Sequence, residues 1–162
     1  MKAAFELAAH QQRRILSMGK DIVLFDIDGT LSDVSERIHH LQKKPKDWNA
    51  FFAGIAQDKA VSSMVRLCNI LYSSGVQVML CSGRSEEHRK ETVGWVARQR
   101  VNYHRLLLRR NGDRRTDVLV KREMLAGIDK NKILFVVEDR SRVVAMWRAE
   151  GLVCLQCAPG EF

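Results

Sequence analysis

The stretch Val23-Leu24-Phe25-Asp26-Ile27-Asp28-Gly29-Thr30-Leu31 decides how the rest of the chain is read. An uncharged run rich in β-branched and aromatic residues, 22–25, ends in two aspartates at i and i+2, then Gly-Thr. The run is short and continuous, and Gly29 supplies a turn signal after it. It predicts a strand buried on both faces, as in a parallel sheet. Side chains alternate along a strand, so Asp26 and Asp28 are expected to project to the same side. Two adjacent carboxylates repel each other. A bound cation, a shared proton or a cationic neighbour normally holds them there. The plainer alternative is a solvated strand exit with a turn glycine.

Working outward, similar strand ends recur. Strands are expected at 76–81, 105–108, 132–137 and 152–157, after the first at 22–25. Between them lie segments with helical periodicity. Asp58 is a candidate cap for a helix carrying Val61, Met64, Val65, Cys68 and Leu71 at i, i+3, i+4, i+7 spacing, and Ser73-Ser74-Gly75 ends it. Further helices are expected over 85–100, with Val93, Trp95 and Val96 apolar, over 116–126, and over 141–150, with Val143, Val144 and Trp147 inward. Strands alternating with helices of about ten to fifteen residues imply an α/β fold, a doubly wound parallel sheet of five strands. Ligands bind such sheets outside the carboxyl ends of the strands. Those ends carry Asp26 and Asp28, then Ser82 and Arg84, then Glu138 and Asp139, and Lys121 lies in a helix between the last two strands of that series.

Composition sets the bounds. The chain has 162 residues, enough for one domain with a real core. No apolar run approaches the roughly 18–20 residues that span a bilayer, so no membrane association is expected. Residues 1–20 read as a short amphipathic leader, with Phe5, Ala8 and Ala9 at helical spacing, and not as a signal peptide, because Glu6, His10, Arg13 and Arg14 interrupt it. A single domain is expected over 21–162, with residues 32–60 forming a small helical cap. In that segment Asp47 is a plausible N-cap, and Trp48, Phe51, Phe52 and Ile55 recur at helical spacing. His39 and His40 read as exposed, since neither has a third ligand at metal spacing. Cys68 and Cys81 read as core residues. Cys154 and Cys157 have the spacing of half a zinc ribbon without a second pair, and the thiols together suggest a reducing, cytoplasmic setting.

The formal net charge is +8, and nearly all of it falls between Arg84 and Arg122, where twelve Lys/Arg stand against five Asp/Glu. Clustered positive charge favours an anionic partner such as a nucleic acid or nucleotide. The densest part is Arg105, Arg109, Arg110, Arg114 and Arg115 around the turn Asn111-Gly112-Asp113.

Four ordered elements resemble the haloacid dehalogenase (HAD) superfamily of phosphohydrolases: Asp26-x-Asp28-Gly29-Thr30, Ser82 ending the second main strand, Lys121, and the acid pair Glu138-Asp139. Cys81-Ser82-Gly83-Arg84, the Gly112-Asp113-Arg114-Arg115 loop leading to Val120-Lys121, and the run from Glu138 to Trp147 look closer still to the 3′-phosphatase domain of bacteriophage polynucleotide kinase-phosphatases. The likeness runs from about Ile22 to the C-terminus. Two departures stand out. Gly19-Lys20 is only a fragment of a kinase P-loop, with Arg14 at the leading glycine and Asp21 at the Ser/Thr, so no kinase is expected. The acid pair is Glu-Asp where that family often has Asp-Asp.

The resemblance implies a Rossmann-like HAD sheet and a Mg²⁺-dependent phosphatase working through an aspartyl-phosphate. Asp26 would be the nucleophile and Asp28 the general acid and base, so Asp28 should start protonated while Asp26 stays ionised. Ser82 and Lys121 would hold phosphoryl oxygens. Asp26, Asp28, Glu138 and Asp139 would serve the metal, Asp28 through its carbonyl. Thr30, Gly83, Arg84, Arg115 and Arg140 are candidate substrate contacts. The expected substrate is the 3′-phosphate of a polynucleotide end. Free nucleoside monophosphates are the alternative, and a non-catalytic nucleic-acid-binding module is a third class.

Overall fold

The computed structural model describes residues 21–160. The leader expected over 1–20 lies outside the described residues. In chain order the elements are β1 (Ile22–Phe25), β2 (Ser32–Asp33), α1 (His39–Gln42), α2 (Trp48–Ala53), β3 (Lys59–Ala60), α3 (Ser62–Ser73), β4 (Gln77–Ser85), α4 (Arg89–Arg98), β5 (Arg105–Arg109), α5 (Asp117–Leu125), β6 (Ile133–Glu138), α6 (Ser141–Ala149) and β7 (Cys154–Gln156).

The run 22–25 is buried throughout because β1 is the central strand. The sheet order is β5-β4-β1-β6-β7, with every pairing parallel. Phe25 is in register with Leu80 on one side and Val137 on the other. Alternation divides the core between two faces. Val23 and Phe25 join Val78, Leu80, Leu106 and Leu108 against Val65 and Cys68 of α3 and Trp95 and Val96 of α4. Ile22 and Leu24 join Met79, Cys81 and Val136 against Leu125 of α5 and Val143, Val144, Met146 and Trp147 of α6. The chain builds one half of the sheet outward from β1, then crosses to build the other half. That reversal leaves a crevice at the carboxyl ends of β1, β4 and β6.

Several details differ from expectation. β4 does not stop at Ser82 but runs on to Ser85, with a register irregularity between Cys81 and Ser85. The helix expected from 85 begins as a 3₁₀ turn over Glu86–His88, where the Ser85 side chain accepts from the Glu87 N–H, and becomes α4 only at Arg89. Val93 does not face the core. It is 39% exposed, while Thr92, Trp95 and Val96 form the inward stripe. Asp58 does not cap α3. Residue 61 holds the N-cap position without a side-chain bond, and Asp58 turns instead to Arg37 and Ser32.

β2 and β3 form a two-stranded antiparallel ribbon, pairing Ser32 with Ala60 and Asp33 with Lys59. It pins both ends of segment 34–58, which carries α1 and α2. Asp47 accepts from the Ala50 N–H at the start of α2. Val34, Leu41 and Phe51 form a small core of their own, with Ile38 and Phe52 against it.

Candidate active site

The strand proper ends at Phe25, and the next residues turn. The Ile27 carbonyl accepts from the N–H groups of Thr30, Leu31 and Ser32, and the Gly29 N–H reaches the Ser32 carbonyl. Gly29 sits at φ +86°, and a Cβ there would lie 2.2 Å from Asp139 Oδ2. Asp26 and Asp28 line the same cavity, as the strand pattern implies, but they meet different partners there.

On one side the ends of β1, α5 and β6 converge. Lys121 Nζ donates to Asp26 Oδ1 at 2.6 Å and to Glu138 Oε2 at 2.7 Å. All three residues are buried, as is Asp139. Asp26, Glu138 and Asp139 each offer a carboxylate oxygen within 4.8 Å of the others. Thr30 Oγ1 donates to Asp139 Oδ1 at 3.4 Å. Three carboxyls against one ammonium leave excess negative charge in a dry site. Burial pushes the Asp26 carboxyl well above its ordinary value, against the pull of Lys121, and Glu138 and Asp139 push it the same way. Burial beside Glu138 pushes Asp139 up to about 7. Lys121 is buried yet held firmly charged by Asp26 and Glu138.

On the other side Asp28 is clamped by two arginines. Arg84 donates from Nε to Oδ2 at 3.0 Å and from Nη2 to Oδ1 at 2.7 Å, and Arg37 Nη2 also donates to Oδ1. Arg37 forks onto Asp58 as well, with both distances 2.7 Å, and its guanidinium lies 4.0 Å from the Phe51 ring centroid. The two aspartates and two arginines balance in charge. Asp28 is half-buried, which opposes its charge, but the Arg84 and Arg37 guanidiniums outweigh that and hold it far below the usual carboxylate range. The protein's own charges thus pull the Asp28 carboxyl down and push the Asp26 carboxyl up, opposite in direction to what the resemblance implies. The cause is that the cations of the site are shared unequally between the two carboxylates. The Asp28 carboxylate also does not join the acids that could hold a metal, since it faces guanidiniums.

Between these clusters opens a cavity of about 630 Å³. Asp26, Asp28, Lys121, Glu138 and Gly83 line its inner part, while Lys46, Asp47, Trp48, Asn49, Phe51 and Phe52 of segment 34–58 form one wall and Arg109, Arg114 and Arg115 the opposite rim. Arg105 and Arg110 do not line it. Most arginines near the rim are already paired. Arg109 and Arg140 both bind Asp117, and Arg115 binds Asp113 and Glu123. Gly83 packs against Asp117, whose Oδ1 would lie 2.4 Å from a Cβ at that position. Ser82, Thr30 and Arg84 are fully buried and lie behind the lining. The Ser82 hydroxyl accepts from the Arg84 N–H at 3.3 Å. Arg84 contacts Asp28, Asp58 and Thr92, so its expected place as a substrate contact becomes a place behind Asp28.

Arg37, Asp58 and Asp117 went unrecognised in the sequence. Arg37 and Asp58 have no periodicity to mark them, and a single acid before a helix reads as a cap. Asp117 opens α5 one turn before Lys121, and that offset on a helix starting at the crevice was the available signal.

The model of the polynucleotide kinase PNKP phosphatase domain matches residues 20–162. The chain belongs to that family. It is a HAD-type phosphatase. A chain in the structure of a Pnkp1/Rnl/Hen1 complex is 30% identical, with a TM-score of 0.75 over 90% of this chain and 48% of that one. A chain in a structure of the Pnkp1/Rnl/Hen1 RNA repair complex is 29% identical, with a TM-score of 0.77 over 90% and 45%. The present chain thus spans about half the length of these relatives. A haloacid dehalogenase-like hydrolase from Streptococcus pneumoniae shares the fold at 12% identity, with a TM-score of 0.60 over 85% of this chain and 84% of that one.

HAD phosphatases generally use Mg²⁺, and the donor set of this PNKP-type domain fits it. Asp26, Glu138 and Asp139 are hard oxygen donors, mutually close, buried and short of positive charge. A divalent cation there offsets the repulsion that pushes Asp26 and Asp139 toward protonation.

Proposed function

We propose that this domain removes 3′-phosphates from polynucleotide ends by way of an aspartyl-phosphate, with Mg²⁺ as cofactor. The observation that carries the reading is the buried Asp26–Lys121–Glu138 cluster beside Asp139, set at the inner end of a cavity with a basic and aromatic mouth. A phosphoryl group fits that end, and a strand of nucleotides fits that mouth.

Asp26 attacks phosphorus as the ester P–O bond breaks, and its carboxylate becomes the acyl phosphate. The departing 3′-oxygen takes a proton from Asp28. In the second step Asp28 takes a proton from water, the water oxygen bonds to phosphorus, and Asp26 leaves with inorganic phosphate released. Such acid–base help is typically worth about 10²–10⁴-fold. Asp28 is ionised in the protein alone, so it must gain its proton with the substrate. An arriving phosphate carries like charge to Asp28 and shifts its carboxyl upward against the two arginines. Lys121 faces the attacked phosphoryl group and stabilises its growing charge. Mg²⁺, held by Asp26 and Asp139 with Glu138 beside them, supplies further positive charge to the phosphoryl oxygens when bound. Ser82, at the end of the β4 core, is placed in support of the Arg84 backbone and the phosphate end of the cavity. Arg114 lines the cavity without an ion-pair partner among the described residues and is the cation offered to the rest of an anionic substrate, while Arg115 and Arg140 reach it already paired with Asp113, Glu123 and Asp117. The four free thiols suit a reducing compartment, in keeping with a cytoplasmic enzyme.

The test is phosphate release with Mg²⁺ from a 3′-phosphorylated oligonucleotide, its 5′-phosphorylated counterpart and free nucleoside monophosphates, beside Asp26→Asn. Release from the 3′ end alone, lost in Asp26→Asn, is the expected result. Release from mononucleotides alone replaces the substrate in this reading, and release that survives Asp26→Asn removes its nucleophile.

A further inference from the structure

The cavity wall formed by α2 has a feature that phosphate chemistry does not use. Trp48 is 42% exposed, while the other two tryptophans, Trp95 and Trp147, are 0% and 1% exposed. A large aromatic half open to solvent at the lip of the cavity offers a π-surface to whatever enters it. Its ring is not loose. Phe52 stacks on it at 5.8 Å between centroids with 24° between planes, and Phe51 meets it edge-on at 6.0 Å. Phe52 in turn rests on His88, at 4.8 Å, beyond the end of β4. The indole is therefore a plate braced from behind by a row of rings reaching to the sheet. The Lys46 ammonium lies over the Trp48 ring, 5.6 Å from its centroid, where an arriving base would displace it toward the phosphate, and Arg114 lines the same cavity with no ion-pair partner among the described residues. An aromatic plate flanked by positive charge is the composition that holds single-stranded nucleic acid, with bases on rings and phosphates on cations.

We infer that Trp48, backed by Phe52, is the stacking subsite for the terminal nucleobase of the substrate. This rests on the reading of the domain as a phosphatase of nucleic-acid ends and adds the part of the substrate recognised beyond the phosphate. A π-face is common to all bases, so the subsite selects for the presence of a base and little for its identity. Segment 34–58 is thereby a specificity wall.

Two oligonucleotides that differ only at the 3′-phosphorylated residue test this, one ending in thymidine and one in a base-free tetrahydrofuran sugar. Wild type should turn over the base-bearing end with a kcat/KM about tenfold or more higher, mainly through KM. Trp48→Ala should erase that preference by lowering kcat/KM far more on the base-bearing end than on the base-free end, and Trp48→Phe should retain most of it. Equal losses on both ends, or no preference in wild type, overturn the subsite. Failure of the parent reading looks different, as wild type then releases phosphate from neither end. In that case tryptophan quenching in EDTA decides, since Trp48 is the accessible fluorophore of the three. Quenching by the base-bearing oligonucleotide alone upholds the subsite, and equal or absent quenching overturns it.

Discussion

Arg84 forks onto Asp28, with Nε 3.0 Å from Oδ2 and Nη2 2.7 Å from Oδ1, from a side chain that is fully buried. A guanidinium there fixes both oxygens of one carboxylate, which a lysine ammonium cannot do from a single point. In the proposed mechanism Arg84 acts through Asp28 and is a positioning residue. Arg84→Lys keeps the charge and loses the fork. Its kcat should fall by about 10²-fold or more, within the range of general acid–base help, with KM for an oligonucleotide little changed. Arg84→Ala leaves Asp28 and Asp58 short of a buried cation and should cost about 3–5 kcal/mol in urea unfolding. A wild-type kcat in Arg84→Lys would remove the positioning role.

Arg37 joins the cap segment to the same carboxylate. It binds Asp28 and Asp58, donates to the Phe51 carbonyl at 3.2 Å and lies over the Phe51 ring. One side chain thus sets both the orientation of Asp28 and the seating of α2. Arg37→Gln should lower kcat and also loosen the wall. Amide exchange in 39–53 should accelerate while β1 and β6 stay protected. Unchanged exchange in 39–53 would separate the cap from Asp28.

These two residues mark where the sequence stopped being legible. The central strand, the parallel alternation and the three polar strand ends were readable, because buried runs and periodicity are local signals. Asp26 and the acid pair of Glu138 and Asp139 were readable at strand ends, and Lys121 on the helix between two of those strands. The pairing of Arg37 with Asp58 was not, because it joins two irregular stretches across a ribbon. The electrostatic setting of Asp28 was not legible for the same reason. Its ionisation depends on two guanidiniums, 9 and 56 residues away, that no spacing connects to it. The period-two pattern put both aspartates on one cavity, but it carries no information about which cations each would meet.

Lys121 lies between Asp26 and Glu138, and its charge competes with any cation those acids bind. Lys121→Met should therefore separate binding from turnover. Removing the ammonium leaves the carboxylates more negative, so Mg²⁺ or Mn²⁺ should bind more tightly in calorimetry without substrate. Phosphate release should drop by about 10²-fold or more, since the charge facing the phosphoryl group is gone. Weaker metal binding in this variant would show that Lys121 orders the acids and does not merely offset them.

Asp117 ties the rim to the core of the site. It is half-buried, which opposes its charge, but Arg140, Lys121 and Arg109 outweigh that and hold its carboxyl below the ordinary value. A carboxyl with a lowered folded-state pKa stabilises the fold above its unfolded value, near 4, and that contribution is lost as pH falls through the lower folded value. Asp117→Asn should then be less stable than wild type at pH 7, by about 1–3 kcal/mol, because two arginines lose a charged partner. The gap should stay nearly constant down to about pH 4 and close below it, as wild type loses the same interaction by protonation. Urea midpoints of both proteins between pH 7 and 2.5 read this directly. A gap that does not change with pH would mean that Asp117 acts by packing against Gly83 and not by its charge.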